Sequence, residues 1–460
     1  MLEKDLSDGL ILRWATPDDL QKVPDLVVEV FSTPDMQVDS LGERFRKIMV
    51  GEGGLMTSDD CLVVVDTKKE GDPVIACTSY WQEMQTYEGI PFNAGRPAWV
   101  GVRNAPEYRG KRIMNHIMDA LHARSKDDGT MVQVIHGINW YYRQFGYEYG
   151  VDYGKRSKVW LSSVPRLEKG SVERLRYRRA TVDDIPTMLE FDKAQGRGGA
   201  VHIPLSEAWI KGQIEDMHRQ DTNKTHVVGK YVLMFEDESD NVVGFCVVPG
   251  FGDEKDRTLI GIYQIGFAPH IDIPTVLFSA MRNVIAFAKS AVDEERFQQL
   301  TSLGWHVSRW HPVVEAIPSH LRNFAKIPYE DPSYYYRVSD LSTFIQHILP
   351  ALNLRLKSSL THKNFTGSVK VSMYTPRHPG FELQIESGVI VNTLPYVKRD
   401  QSEDPTVAYF PPFVFLQVLF GRKSIAELEE IFPDVEMEES TEKLLSVIFP
   451  KKVSIIHHYM

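Results

Sequence analysis

Cysteine is scarce in this chain: Cys61, Cys77 and Cys246 are the only three among 460 residues. No two have metal-site spacing and three cannot build a disulfide framework, so a disulfide-stapled secreted fold is excluded. A reducing, cytoplasmic setting is the expectation. Long apolar runs are missing as well. The most apolar stretch, residues 410–420, falls far short of the ~20 residues that span a bilayer. Residues 1–8 carry charges where a signal peptide needs an apolar core, so neither a leader nor a membrane span is expected. Positive charge is in deficit: 52 Lys+Arg against 62 Asp+Glu give a formal charge of −10. A general nucleic-acid binder needs a basic face to displace counterions, so no nucleic-acid partner is expected. The acidic balance agrees better with a cationic small molecule or amine as ligand. Glycine (31) and proline (26) are too few for a collagen-like or low-complexity chain.

What remains is an ordinary globular mixture, 43% hydrophobic and 25% charged. Its length suggests about three domains at roughly 150 residues each, or two larger ones. An internal repeat organises the first two. Leu12-Arg-Trp-Ala-Thr-Pro-Asp-Asp-Leu20 returns as Tyr177-Arg-Arg-Ala-Thr-Val-Asp-Asp-Ile185. In both copies a short apolar strand leads into Thr-x-Asp-Asp. Thr16 and Thr181 have the hydroxyl of an N-cap, and the aspartates follow where a helix dipole favours them. Pro73-Val-Ile-Ala-Cys77 and Val242-Val-Gly-Phe-Cys246 form a second matching pair in the same order. The spacing implies a duplicated α/β domain over residues 1–165 and 170–325, and a small α+β domain over 330–460. That last region is read as opening with a helix across residues 334–349, followed by strands near 368–374 and 381–386 and helices near 412–420 and after Ser424.

The first copy carries the chemistry. In Trp99-Val-Gly-Val-Arg-Asn-Ala-Pro-Glu-Tyr-Arg-Gly-Lys-Arg-Ile-Met-Asn-His-Ile-Met118 a β-rich run meets a proline, then a basic turn, then an amphipathic helix. Ile113, Ile117 and Leu121 make its buried stripe. The turn Arg109-Gly110-Lys111-Arg112 therefore stands at a helix N-terminus, where free amides and the dipole can hold a pyrophosphate. A solvated basic turn is the plain alternative. Further on, Met131-Val-Gln-Val-Ile135 reads as a buried strand running into Gly137-Ile-Asn-Trp-Tyr-Tyr-Arg-Gln-Phe-Gly-Tyr147. Tyr142 lies four residues before Gly146, and its phenol can donate a proton. Simple aromatic packing is the alternative there, and only the spacing to Gly146 separates Tyr142 from Tyr141. His457-His458 has no companion ligands at fixed spacing, so no metal site is expected. Cys77 and Cys246 read as buried small hydrophobes.

Arg109-Gly-Lys-Arg-Ile-Met114 after Ala105-Pro106, followed by Tyr142-Arg-Gln-Phe-Gly-Tyr147, resembles the acyl-CoA motif of GNAT acetyltransferases. The three-part order resembles the Eis (enhanced intracellular survival) family: tandem GNAT folds with mixed central sheets, then a small sterol-carrier-protein-like α+β domain. The resemblance implies an acetyl-CoA-dependent N-acetyltransferase acting on a small-molecule or lysine amine, and members that assemble as homo-oligomers. By the same resemblance the backbone of Val102, Arg103 and Asn104 pairs with the pantetheine arm. The pyrophosphate is cradled by Gly110, Lys111, Arg112, Ile113, Met114 and Asn115, with Arg109 adding charge, and Gly137 and Ile138 border the cofactor. Tyr142 matches the general acid, and the C-terminal carboxylate, here that of Met460, the general base; Glu83, Glu88 and His458 are further candidates. The chain departs from the GNAT signature Arg-x-x-Gly-x-Gly/Ala by placing Arg112 where Gly belongs and Met114 at the last small position. A Cβ at Arg112 is tolerated if its φ stays negative. In the second copy, Ile265-Gly-Phe-Ala-Pro-His-Ile-Asp-Ile-Pro274 lacks a basic turn, so that copy is expected to be silent. The competing reading is a catalytically silent GNAT-like protein that binds a lipid through its C-terminal domain.

Overall fold

The structure is a computed structural model that describes residues 3–32, 38–51, 56–153, 157–223, 230–249, 258–324, 333–375, 378–398 and 404–456. Seven strands of the N-terminal region are β1 (Glu3–Asp5), β2 (Leu10–Trp14), β3 (Cys61–Asp66), β4 (Val74–Tyr87), β5 (Ile90–Val102), β6 (Val132–Ile135) and β7 (Glu148–Asp152). Three helices accompany them: α1 (Lys22–Phe31), α2 (Val38–Met49) and α3 (Ile113–Asp127). β1 to β5 pair antiparallel in sequence order, and α3 then carries the chain to β6, which lies parallel to β5. The β-branched run of β3 is buried along its whole length, as a central strand requires.

The two faces of this sheet hold separate cores. Val23, Leu26, Val27 and Phe45 pack on Val63, Val65, Cys77 and Trp81. Ile113, Ile117, Met118 and Leu121 pack on Leu12, Leu62, Val64 and Tyr80, so the expected stripe of α3 is its buried face. Each such side chain contributes about 1.5–3 kcal/mol on burial.

Each of the two sheets is completed by a strand from elsewhere in the chain. Ser333–Val338 runs antiparallel between β6 and β7, with Tyr335 opposite Ile135 on one side and Tyr149 on the other. Ser157–Trp160, which follows β7 in the chain, lies instead between Ser302–Trp305 and Asn323–Phe324 in a sheet of the second copy. The expected boundaries near 165 and 330 are therefore crossed twice. The helix read across residues 334–349 is corrected too. Tyr334, Tyr335 and Tyr336 are fully buried strand residues, and the helix starts at Leu341, capped by Asp340 accepting from the Thr343 amide at 3.1 Å. Aromatic residues fit a pleated, doubly covered strand better than a helix.

The repeat is reproduced atom by atom at its start. Arg13 grips Asp19 with two guanidinium nitrogens (2.6 and 3.1 Å), and Arg178 grips Asp184 in the same way (both 2.7 Å). In each copy the aspartate also accepts from the threonine amide, at 2.8 Å. The C-terminal region has a four-stranded sheet of Gly367–Ser372, Gly380–Glu386, Val389–Tyr396 and Val407–Tyr409, packed with helices that include Leu349–Ser358 and Glu439–Ile448. Residues 453–456 return to the first unit. The Ile455 amide donates to Val201 at 2.8 Å, and Val201–His202 pairs with β4 at Tyr87 and Thr86. No helix among the described residues is long and apolar enough to cross a membrane. All three cysteines are buried and unpaired.

His122 on α3 is half-buried beside Tyr147, and its desolvation, helped by the nearby Arg337 charge, pushes its imidazole down to about 3. An unfolded chain protonates the same group near its ordinary value of about 6.5. The stability contributed by keeping His122 neutral is thus complete above pH 6.5 and is lost as pH falls toward the depressed value. Replacement by Gln is expected to shrink the difference in urea midpoint between pH 7 and pH 5; an unchanged difference would remove His122 as the acid-sensitive group.

Candidate functional site

β5 and β6 stay together only briefly. Their parallel pairing consists of Ala94 with Val132 and Gly95 with Gln133. Beyond Gly95, β5 continues along β4 while β6 ends at Ile135, leaving a wedge between them. Gly95 marks the apex: a Cβ there would lie 2.1 Å from the Tyr80 hydroxyl, so only glycine lets that phenol cross the strand. Past the apex β5 bulges. Ser79 pairs with Ala98 and Cys77 with Gly101, leaving Trp99 and Val100 opposite Thr78. Trp99 takes φ +52 and its ring lies between Phe31 and Phe45, at 5.5 and 5.2 Å. At the end of β5 the Arg103 amide donates to the Ile75 carbonyl at 2.8 Å and is therefore engaged in the sheet. Strand alternation turns the backbone groups of Val102 the other way, toward the wedge.

The chain then makes one turn, Pro106–Tyr108, before α3. Among the described residues, the amides of Gly110, Lys111, Arg112, Ile113 and Met114 have no acceptor, whereas Asn115 already donates to the Arg112 carbonyl at 3.0 Å. Five consecutive free donors at the start of a fifteen-residue helix make a concentrated anion site. Gly110 has φ +75, and a Cβ there would meet nothing within 4 Å, so space lies open over the loop.

Arg112 corrects the sequence reading. Its φ is +54 rather than negative, so the chain keeps the left-handed turn that glycine would adopt and forces an arginine into it. That conformation costs an L-residue roughly 1–2 kcal/mol. The other basic side chains have partners: Arg103 chelates Glu29 at 3.0 Å, Arg109 donates to the Asn104 side chain at 3.0 Å, and Lys111 bonds Asp8. The hydrogen bond from Lys111, together with its charge, holds the Asp8 carboxyl below its usual range.

On the far side of the wedge, β6 leads into Gly137 and Ile138, then into the turn Tyr141–Phe145. Tyr142 is 4% exposed, and burial, with a smaller contribution from Tyr141, raises its phenol well above the ordinary value. A Cβ on Gly137 would lie 3.0 Å from the Tyr142 ring and 3.2 Å from its hydroxyl, so this glycine admits the phenol to the end of β6. That hydroxyl has no hydrogen-bond partner among the described residues. Ile138 is 64% exposed at the same lip. Sequence reasoning missed Tyr335, whose ring lies 5.6 Å from Tyr142, because its strand arrives from the far end of the chain. The run Tyr334-Tyr-Tyr was its one signal.

The further base candidates are committed elsewhere. Glu83 pairs with buried Arg96 at 2.7 Å. Glu88 pairs with Arg355 at 2.9 Å and with Lys452; burial alone would raise its carboxyl, but these bonds outweigh it and hold the group below its ordinary value. Met460 and His458 lie outside the described residues. In the second copy the helix corresponding to α3, Ile273–Ala291, begins with Asp272 as its cap and a proline in its first turn. An acid and a missing amide replace the basic loop, as its sequence implied.

Residues 12–150 match the family model described as an acetyltransferase (GNAT) domain. Over nearly its whole length the chain is similar to several solved structures. One is a GCN5-related N-acetyltransferase from Anabaena variabilis, at 13% identity and TM-score 0.65, covering 97% of this chain and 98% of that one. Another, from Kribbella flavida, has 18% identity and TM-score 0.62 and covers 99% of both chains. Eis1 from Mycobacterium abscessus has 12% identity and TM-score 0.56, covering 96% of this chain and 98% of that one. At these identities the likeness is one of fold, and the expected mixed α/β architecture with GNAT-type sheets is the one observed. No curated protein matches the chain by sequence.

Replacing Arg112 by Gly removes the strained left-handed arginine but frees the unfolded chain. The net expectation is a gain of about 0.5–1 kcal/mol in urea unfolding. Destabilisation instead would mean that the guanidinium is held by contacts worth more than the strain.

Proposed function

We propose that this protein is an acetyl-CoA-dependent N-acetyltransferase that moves an acetyl group to a primary amine by direct attack. The observation that carries this reading is a conjunction at one wedge: five unengaged amides on one side, and on the other a buried phenol with no partner among the described residues. Acetyl-CoA fits both chemically. Its pyrophosphate suits the amides of residues 110–114, with Arg109 and Arg112 at hand and Lys111 available by exchanging Asp8 for phosphate. Its pantetheine amides suit the outward backbone of Val102 and Asn104, while the Arg103 amide stays in the sheet. Gly137 and Ile138 line the far wall.

In the transfer the amine nitrogen bonds to the thioester carbonyl carbon, and the carbon–sulfur bond breaks. Tyr142 gives its phenolic proton to the departing sulfur, and the amine proton passes to a base. Burial bears on this role in one way: a raised phenol keeps its proton at neutral pH and is therefore present as the acid when the sulfur departs. For the base we propose the carboxylate of Met460. Residues 453–456 run alongside Val201–His202, antiparallel to β4 and toward the wedge, and four more residues extend at most ~13 Å. The acceptor is a small-molecule amine or a lysine side chain, received between this unit and a sterol-carrier-like C-terminal region.

Free-thiol release from acetyl-CoA, assayed across polyamines, aminoglycosides and lysine peptides, is the direct test; no release with any amine refutes the reading. Tyr142→Phe is expected to lower kcat about 10²-fold or more while acetyl-CoA affinity changes less than about twofold. Because the Tyr142 phenol lies above its ordinary value of about 10, turnover is expected to hold without an alkaline decline up to pH 10. A decline below that pH assigns the proton to another group. Appending a short peptide after Met460 is expected to lower kcat, and full activity of the extended chain would exclude the terminal carboxylate as base.

A further inference from the structure

The turn that carries Tyr142 is bracketed by two left-handed residues, Gly146 at φ +86 and Trp140 at φ +65. Glycine takes that conformation freely, whereas an aromatic residue resists it and keeps it only where surrounding contacts impose it. The Trp140 indole does not supply the restraint by burial, being 65% exposed. Its guanidinium neighbour Arg143 lies 3.8 Å from the ring and is itself held by Glu148 at 2.5 Å.

The backbone around Trp140 is fastened by two phenols. The Trp140 amide donates to the Tyr149 hydroxyl at 3.2 Å. The Tyr149 and Tyr335 hydroxyls are 2.7 Å apart, and Tyr335 donates to the Ile138 carbonyl at 3.1 Å. A hydrogen-bonded path thus leaves the loop at residue 140 and re-enters it at residue 138, clamping the peptide between them. The two rings stack at 4.1 Å, and Tyr335 also abuts the Tyr142 ring at 5.6 Å. Tyr335 belongs to the strand donated from beyond the second copy, so it stands on a rigid, fully buried element rather than on the loop.

We propose that Tyr335 is a positioning residue for Tyr142: its hydroxyl, acting with that of Tyr149, holds Trp140 in its strained conformation and so fixes where the Tyr142 phenol stands in the wedge. This inference rests on the reading of Tyr142 as proton donor. Loss of the Tyr335 hydroxyl leaves the Ile138 carbonyl without this donor, and Trp140 relaxes toward negative φ. The turn then rotates and the phenol is misplaced while the amides of residues 110–114 are untouched.

The test compares the full-length wild type with Tyr335→Phe and with Tyr335→Phe combined with Trp140→Gly. Two readouts are used: steady-state kinetics with acetyl-CoA, and hydrogen exchange at the Trp140 amide. Tyr335→Phe is expected to lower kcat about tenfold or more with little change in the KM for acetyl-CoA, and to accelerate exchange at Trp140. Adding Trp140→Gly is expected to restore most of kcat, because glycine needs no restraint to stay left-handed. A merely structural role predicts no such rescue. Unchanged exchange, unchanged kcat, or a failed rescue overturns the inference. If Tyr335→Phe does not fold, Tyr149→Phe opens the same path and is judged by the same outcomes. A wild type that releases no thiol with any amine sinks the functional reading itself, whereas the exchange experiment still decides whether the two phenols hold the loop.

Discussion

Completion of each sheet by a strand from elsewhere in the chain is the constraint on which this architecture depends. The β6–β7 gap of the first unit is filled by Ser333–Val338, and the matching gap of the second by Ser157–Trp160. Backbone donors and acceptors in the middle of a covered sheet are costly to leave unpaired. Neither sheet therefore satisfies its own backbone without a strand from elsewhere in the chain, and the candidate site inherits that dependence. The tyrosine beside Tyr142, and the hydroxyl that reaches the Ile138 carbonyl, both come with the donated strand.

The wedge itself arises from local chemistry. A glycine lets Tyr80 cross at the apex, a bulge at Trp99 bends β5 away from the line β6 follows, and a turn with two left-handed residues starts α3 with its amides exposed. The basic residues around it are held by carboxylates, Glu29 on Arg103 and Asp8 on Lys111. An anionic ligand must outcompete these surface pairs, which are individually weak. Such pairs hold the loop's charges in place yet concede them cheaply to an anion.

Much of this was legible in the sequence because it is short-range. The repeat showed in Arg13 and Arg178 with their Thr-x-Asp-Asp turns, and the structure adds that the arginine grips the last aspartate of each. The α3 stripe followed from period, and the absence of a basic loop before the matching helix of the second copy was plain in residues 265–274. What the sequence hid is long-range or conformational. The pairing of Tyr335 with Ile135 spans some two hundred positions and leaves no local period, so a run of tyrosines next to an apolar helix was read as part of that helix. The left-handed φ of Arg112 runs against the preference of its residue type, and only the surrounding turn reveals it.

Strand donation also has a consequence for synthesis on the ribosome. The N-terminal sheet cannot close until the segment ending at Val338 has emerged, because the strand that sits beside β6 is made after the whole second copy. Domains usually fold in order as they leave the exit tunnel. Here the earliest-made half must wait, its β6 and β7 edges unpaired, for a contact of high sequence separation whose closure is intrinsically slow. The price of fastening the Tyr142 loop from a distance is a nascent chain that carries open strand edges until residue 338 has been made.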